Sequence, residues 1–500
     1  MIPGLGGRVA KGAAWMVGCR FIIRGIGVVS VIILARLLRP QDFGLFSLAA
    51  ALLGTLDVFG NFSFNIALIR DAEATREHYD TVWTLTILRG LGVALALCAL
   101  ARPAAIFFND PRVEGILYFF ALGTFLDGLQ NVGTIDFRKS LNFHREFAFQ
   151  IICKLAGFIF TVTFAILWRS YWALVVGMLA AKVAGLGASY IMHPFRPRLC
   201  LREWRSLFGF SKWLLTSNIS AFLSSRLDTF VVGRAVGTYA LGLYEIASEI
   251  SNLPTGELVL PIQTALYPGY AKLISDPRRL AGSYIEVLAL LMLIAIPASV
   301  GIVCVADLLI RVFLGTRWLE ALPLLQVLSI AGLMKLGSAN TVPILLALGR
   351  SKLTSHLAFT NLAILAVFIV GGATAAGAIG TAYGVVAASA IISGIYITTT
   401  LRVLSLSVRP LIVAVWRTLA AVAVMTLAVH FLIAGWPLIG TETSAIVKLA
   451  AAVAVGILVY GAALLGFWRL AGAPEGAETM ILRALAPRLR QWRTVLGFGG

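Results

Sequence analysis

Leu34-Ala-Arg36-Leu-Leu-Arg39-Pro40-Gln41-Asp42-Phe43-Gly44-Leu45-Phe46 returns 198 residues later as Val232-Gly233-Arg234-Ala-Val-Gly237-Thr238-Tyr-Ala-Leu241-Gly242-Leu243-Tyr244. In one register, without a gap, Arg36 falls on Arg234, Gly44 on Gly242, Leu45 on Leu243 and Phe46 on Tyr244. Trp15 on Trp213 and Ala49 on Ala247 extend the match in both directions. Self-similarity at a fixed period is the mark of a repeated structural unit. Each copy covers the end of one apolar helix, a short turn and the start of the next. The alternative is chance similarity between two glycine-bearing helix starts.

The chain as a whole is 59% hydrophobic and only 13% charged, with a mean hydropathy of +0.91. Soluble domains carry roughly twice that share of charge. So few charges cannot cover a water-facing surface, and lipid is the expected solvent. Spans of about 20 apolar residues are needed to cross the hydrocarbon. They are expected at 13–35, 43–66, 81–101, 115–135, 147–167, 171–192 and 211–232, then at 243–265, 283–305, 321–346, 354–373, 377–400, 412–434 and 445–468. The fold class is therefore all-α polytopic membrane protein with about 14 transmembrane helices, 12 being the alternative. One repeat holds six spans, so both copies share an orientation. Such parallel repeats imply two six-helix lobes related by an axis along the membrane normal, with a binding site between them. The expected organisation is a first lobe at 1–192, a basic cytoplasmic linker helix at 193–210 and a second lobe at 211–400. Two additional spans follow at 401–468, then a basic amphipathic tail at 469–500. No gap between spans holds a folded domain, which excludes an enzyme with a catalytic domain outside the membrane.

The formal charge of +18 invites a nucleic-acid reading, but its distribution argues against one. With a cytoplasmic N-terminus, most of the 41 Lys and Arg fall on cytoplasmic segments, from Arg8 and Lys11 through Arg138, Lys139, Arg196 and Arg198 to Arg488, Arg490 and Arg493. That is the positive-inside bias, and it places both termini in the cytoplasm. Arg20 and Arg24 break the first apolar run, which reads as a retained helix rather than a cleaved signal. The five cysteines form no CxxC pair, and the histidines are dispersed, so neither a metal site nor any cofactor is expected. The linker opens as His193-Pro194-Phe195-Arg196-Pro197-Arg198, a proline-stiffened hinge. Trp204, Leu207 and Phe208 then offer the apolar face of a helix at the headgroup level.

The informative residues are the ionisable ones inside spans, which normally face a cavity or a partner. Arg20 and Arg24 share a face of the first span with Gly27 one turn on. Asp57, Asn61 and Asn65 form a stripe on the second. Asp228 lies with Ser217, Ser220 and Ser224 on the seventh, near Arg226, and Glu245 and Glu249 mark the eighth. Arg89, Lys154, Lys182 and Lys335 add further cations. Stripes on the equivalent first two helices of each copy suit a water-filled cavity; interhelical ion pairs and snorkelling are the plainer reading.

The quoted stretch at 34–46 resembles the oligosaccharide flippase, or Wzx-like polysaccharide transporter, family, which sits with the MATE exporters and lipid II flippases. Arg226-Leu-Asp228, Gly233-Arg234, Leu241-Gly242-Leu243-Tyr244, Tyr267-Pro268 with Asp276, Gly315-Thr-Arg-Trp318 and Ala347-Leu-Gly349-Arg350 continue it in order, over residues 8–430. The resemblance implies a two-lobe transporter that flips undecaprenyl-pyrophosphate-linked sugar repeats across the bacterial inner membrane by alternating access. It implies cationic cavity residues for the substrate, with Arg20, Arg24 and Arg226 the candidates by position and Arg89, Lys154 and Lys335 beside them. Asp57, Asn61, Asp228, Glu245 and Glu249 are then candidate ion-coupling or polar cavity groups. Lipid-linked oligosaccharide and membrane lipids are the implied partners, with a polysaccharide polymerase and export machinery further ones. The spans at 412–468 resemble the additional helices that line a lipid-tail groove in lipid II flippases.

Arginine forks match phosphate oxygens, whereas a pyrophosphate cannot cross hydrocarbon unaided. No GxxxxGK[ST] sequence is present, so any energy comes from an ion gradient or product removal. Two other functions share these features in part: a MATE-like cation or drug antiporter, and an integral-membrane glycosyltransferase or ligase. The first favours an acidic cavity, and the second needs catalytic external loops.

Overall fold

A computed structural model describes residues 5–60, 68, 74–140, 142–204, 222–436, 442–474, 476–480 and 482, and these contain helices and turns but no strand. The chain divides into two compact units, Met1–Glu245 and Ile246–Gly500. Among the described residues, nine helical stretches are long and apolar enough to cross a membrane. The longest, Ser351–Val403, is two helices joined at Ala376 and Gly377. Gly377 has φ +61, which favours glycine, and the two legs then pack so closely that a Cβ on Gly380 would meet the Gly372 carbonyl at 2.0 Å. Every expected span overlaps a helical segment, those at 43–66 and 211–232 being described only in part.

In the first unit the helices are α1 (Leu5–Leu37), α2 (Pro40–Gly60), α3 (Arg76–Phe108), α4 (Arg112–Gly128), α5 (Phe143–Trp168), α6 (Trp172–Met192) and α7 (222–235). α8 (Thr238–Ser251) begins in this unit and ends in the second. α3 pairs with α4 and α5 with α6, while α1 lies on α5 and α2 on α4. The repeat is visible here as a physical contact. A Cβ on Gly44 would lie 1.9 Å from the Thr238 carbonyl oxygen, and one on Gly242 would lie 1.7 Å from that of Pro40. Pro40 and Thr238 are themselves 198 residues apart, so the two copies meet reciprocally, as two subunits do across a two-fold interface. Leu45, Leu48 and Leu241 are fully buried beside it.

The second unit holds α9 (Leu260–Ala271), α10 (Pro277–Leu309), α11 (Leu322–Met334), α12 (Leu336–Ala347), α13 (Ser351–Val403), α14 (Arg409–Gly435) and α15 (Glu442–Leu470). α10 packs on α11, α14 and α15, and α13 on α11 and α12. A wholly buried polar chain pins its core: the Tyr270 hydroxyl donates to Asn340 (2.6 Å), Asn340 to the Tyr284 carbonyl (2.9 Å), and Thr400 to Thr341 (3.0 Å). Pro323 sits in the first turn of α11, where a missing N–H costs nothing.

The linker departs from expectation. Its first part, 193–201, is not helical but an extended strap laid on the start of α3. Pro194 and Pro197 account for this, since each pushes the preceding residue out of the helical region, and His193 has φ −128 and ψ 130. The Arg198 N–H donates to Asp80 (2.8 Å), Cys200 N–H to Thr84 (2.9 Å) and Glu203 N–H to Thr81 (3.4 Å). Asn131 donates to the Phe195 carbonyl (2.7 Å), and Phe195 packs on Tyr79. Trp204 is helical; the face expected from Leu207 and Phe208 lies outside the described residues, as does the tail beyond residue 482.

His193 is expected to make the strap pH-sensitive. Its Nδ1 accepts the Phe195 N–H at 3.2 Å and its Nε2 stands 3.5 Å from Asp136, so the neutral ring fits. Burial pushes its pKa below the ordinary 6.5 against the opposing pull of Asp136, with Arg145 and Arg196 adding to the fall. A group whose pKa drops on folding contributes stability that is whole above its unfolded pKa, near 6.5, and is lost as pH falls through the folded value. Amide exchange at Phe195 and Arg198, corrected for intrinsic rate, is expected to accelerate between pH 7.5 and 5. His193→Gln is expected to flatten that dependence; equal protection at both pH values would refute it.

Candidate functional site

A cavity of about 490 Å³ opens inside the first unit among α1, α2, α5 and α6. Its walls are largely apolar, from Ile23, Leu34, Phe46, Phe158 and Met178, with Ser30, Gln150, Lys154 and Thr161 supplying polar atoms. Glycines set the spacing. A Cβ on Gly177 of α6 would fall 1.6 Å from the Thr161 hydroxyl and 2.9 Å from the Gly157 carbonyl, so α5 and α6 meet without a side chain between them. Gly27 of α1 leaves room for the Lys154 ammonium, whose Nζ would be 3.7 Å from a Cβ placed there. Arg24 precedes Gly27 by three residues and adjoins the cavity residue Ile23, and Arg20 lies one turn earlier. Lys154 forms no ion pair with a described carboxylate. The structure therefore brings Lys154 to the cationic face of α1.

Other candidate residues are placed differently. Arg89 is paired with Asp57 through a direct hydrogen bond, so these two neutralise one another. Lys182 sits 3.0 Å from Asp127, which also accepts from Gln130 at 2.8 Å. Arg226 stands 3.8 Å from Glu245, whose other oxygen takes the Thr229 hydroxyl at 2.6 Å. Asp228 accepts from the buried Tyr244 hydroxyl and from the Thr229 N–H, both at 2.9 Å. Glu249 is exposed on α8, and Lys335 is exposed at the break between α11 and α12. Asn61 lies outside the described residues. Sequence reasoning missed Gln150, Ser30 and Thr161, although Gln150, Lys154 and Phe158 recur at i,i+4 on one face of α5. Among the described residues no group of three His, Cys, Asp or Glu could hold a metal ion.

A family model described as "Polysaccharide biosynthesis protein" matches residues 33–323, which take in the reciprocal glycine contact and most of the cavity wall. The chain belongs to that family. Among polysaccharide biosynthesis proteins it is 25% identical over 382 residues to the lipopolysaccharide biosynthesis protein WzxC of Escherichia coli (strain K12), covering 75% of this chain and 77% of the relative. It is 23% identical to the succinoglycan biosynthesis transport protein ExoT of Rhizobium meliloti (strain 1021), covering 68% and 70%. A solved structure of the lipid II flippase MurJ in its inward closed conformation aligns with a TM-score of 0.73 at 14% identity, covering 90% of this chain and 98% of that one. An inward-facing MATE multidrug transporter aligns at 0.61, covering 76% and 94%. This member of the polysaccharide biosynthesis family thus has the fold of the MurJ and MATE transporters, with a helical body and no strand among its described residues.

Proposed function

We propose that the chain moves a lipid-linked oligosaccharide across the membrane for polysaccharide synthesis, and that the cavity beside Lys154 binds its phosphate-bearing head. The observation that carries this is an ammonium with no ion pair to a carboxylate among the described residues, in a mostly apolar cavity beside the Arg20–Arg24 face of α1. An anion is the species such a site holds in hydrocarbon, and arginine and lysine are its usual ligands. The names of WzxC and ExoT, a lipopolysaccharide and a succinoglycan protein, support the sugar-bearing substrate class. The lipid is an undecaprenyl pyrophosphate, whose chain stays in the bilayer while the head passes. Arg226 is a further substrate-facing cation, while Arg89 with Asp57 is an internal pair. Asp228 and Glu245 hold α7 and α8 together and are the candidate coupling groups.

In this reading the lobes are 1–192 and 211–400, both termini are cytoplasmic, and the polymerase is the partner that consumes the product. A cavity whose one charged lining residue, among the described residues, is Lys154 disfavours organic cations, which argues against a drug antiporter of the same fold. Arg24→Ala and Lys154→Gln, each present in the membrane at the wild-type level, are expected to lower polymer export by on the order of 100-fold, as for loss of a charge-assisted contact. Surface polysaccharide measured in a complemented deletion strain reads this out. Unchanged polymer in both variants would sink the assignment, and a changed drug-susceptibility panel would favour the antiporter.

A further inference from the structure

The first part of the basic tail at 469–500 turns back into the second unit. Gly472 and Ala473 both have positive φ, +81 and +52, which reverses the chain after α15. The Trp468 indole N–H donates to the Pro474 carbonyl at 3.1 Å and closes that turn. Gly476 and Thr479 cap one another, the Gly476 N–H donating to the Thr479 hydroxyl at 2.7 Å. Ala477 then packs against Ala289 and Leu293 of α10, with Ala414 of α14 and Leu464 of α15 around it. Next to it Glu478 accepts from Arg417 of α14 twice, at 2.6 Å and 3.2 Å, and the two side chains are exposed to only 4% and 5%. One short segment thereby touches three helices at once. α15 is also tied to α10 directly, by the Tyr460 hydroxyl on the Leu293 carbonyl at 2.7 Å.

We propose that residues 476–480 are an internal clasp that holds the two C-terminal spans against α10, and that transport requires it closed. A buried ion pair contributes little net stability against an apolar pair of the same shape, yet breaking one partner strands a charge and is costly. Arg417 and Glu478 therefore make a poor glue but a strict register, because a shifted seating would strand both charges in the protein interior. Gly476 reinforces the fit, since a Cβ there would press on the Glu478 carboxylate at 3.3 Å.

The transport arm rests on the proposed function, so the test carries an arm that does not. Cysteines at Ala289 and Ala477, in a background lacking the five natural ones, report docking of the clasp by oxidative cross-linking in membranes. Efficient cross-linking is expected in the otherwise native chain. Glu478→Gln is expected to lower the docked fraction by on the order of 100-fold, because the buried guanidinium charge loses its counter-charge. Arg417→Met with Glu478→Met restores docking, which separates a lost clasp from a chain that fails to insert. Export is expected to fall in Glu478→Gln and in a chain ending at Gly472, and to return when the cross-link holds the clasp shut in Glu478→Gln. Unchanged cross-linking in Glu478→Gln, or full export from the shortened chain, overturns the proposal. If no variant or parent exports polymer, the flippase reading fails while the cross-linking arm still decides the clasp.

Discussion

Gly44→Ala is expected to destabilise the protein by about 3 kcal/mol or more, at the upper end of overpacking costs. The added methyl would lie 1.9 Å from the Thr238 carbonyl oxygen and 2.7 Å from the Gly242 nitrogen. Both are backbone atoms, so no rotamer change relieves the clash and the starts of α2 and α8 must part. Gly242→Ala carries the same cost for the mirrored reason, its methyl meeting the Pro40 carbonyl. Reciprocity yields a sharper expectation. Once the helices have separated for one methyl, the second finds space, so the double variant is expected to cost little more than either single. That coupling is a non-additivity of about 2 kcal/mol or more, well beyond what independent sites show. Thermal unfolding of the four proteins in one detergent measures it. Simple additivity, or a Gly44→Ala loss below about 0.5 kcal/mol, would refute the close contact.

Asp80→Ala is expected to release the strap over α3. Asp80 is 6% exposed and takes the Arg198 N–H at 2.8 Å, with the Arg76 guanidinium at 3.6 Å. Removing it costs a hydrogen bond to a charged acceptor, about 2 kcal/mol, most of which falls on local opening of the strap. Cleavage that samples the open form follows its population. Trypsin is therefore expected to cut after Arg198 roughly 30-fold faster, while Arg196, followed by Pro197, stays resistant. Asp80→Asn keeps an acceptor oxygen and is expected to fall between the two. An unaltered cutting rate in Asp80→Ala would mean that Thr81, Thr84 and Asn131 hold the strap without it.

These features differ in how far they could be read beforehand. The spans were legible because lipid tolerates only long apolar runs, and the repeat was legible because Gly44 and Gly242 sit where nothing larger fits. Their direct meeting was not, since a register match does not say that two copies touch. The stripe on the second span singled out Asp57, but an isolated sequence cannot choose between a substrate and Arg89 as its partner. The strap was hidden for another reason: its bonds run from backbone N–H groups to Asp80, Thr81 and Thr84, which read as an unremarkable polar helix start. Arg417 and Glu478 lie 61 residues apart, beyond any local pattern. Lys154 was visible as a cation, and only packing distinguished it from Lys182, which the carboxylate of Asp127 neutralises.

The strap also bears on the order of biogenesis. Among the described residues, the groups that fasten it, from Asp80 and Thr84 to Asn131 and His193, precede residue 204 in the chain. The first six helices can therefore seal their own linker while the rest is still being synthesised, in keeping with the N-terminal-first folding of long chains. The contact at Gly44, by contrast, must wait for Gly242 to emerge. A nascent chain thus passes through a half-built stage whose loose end is already tied down, with the glycine seam on α2 still open for the second copy.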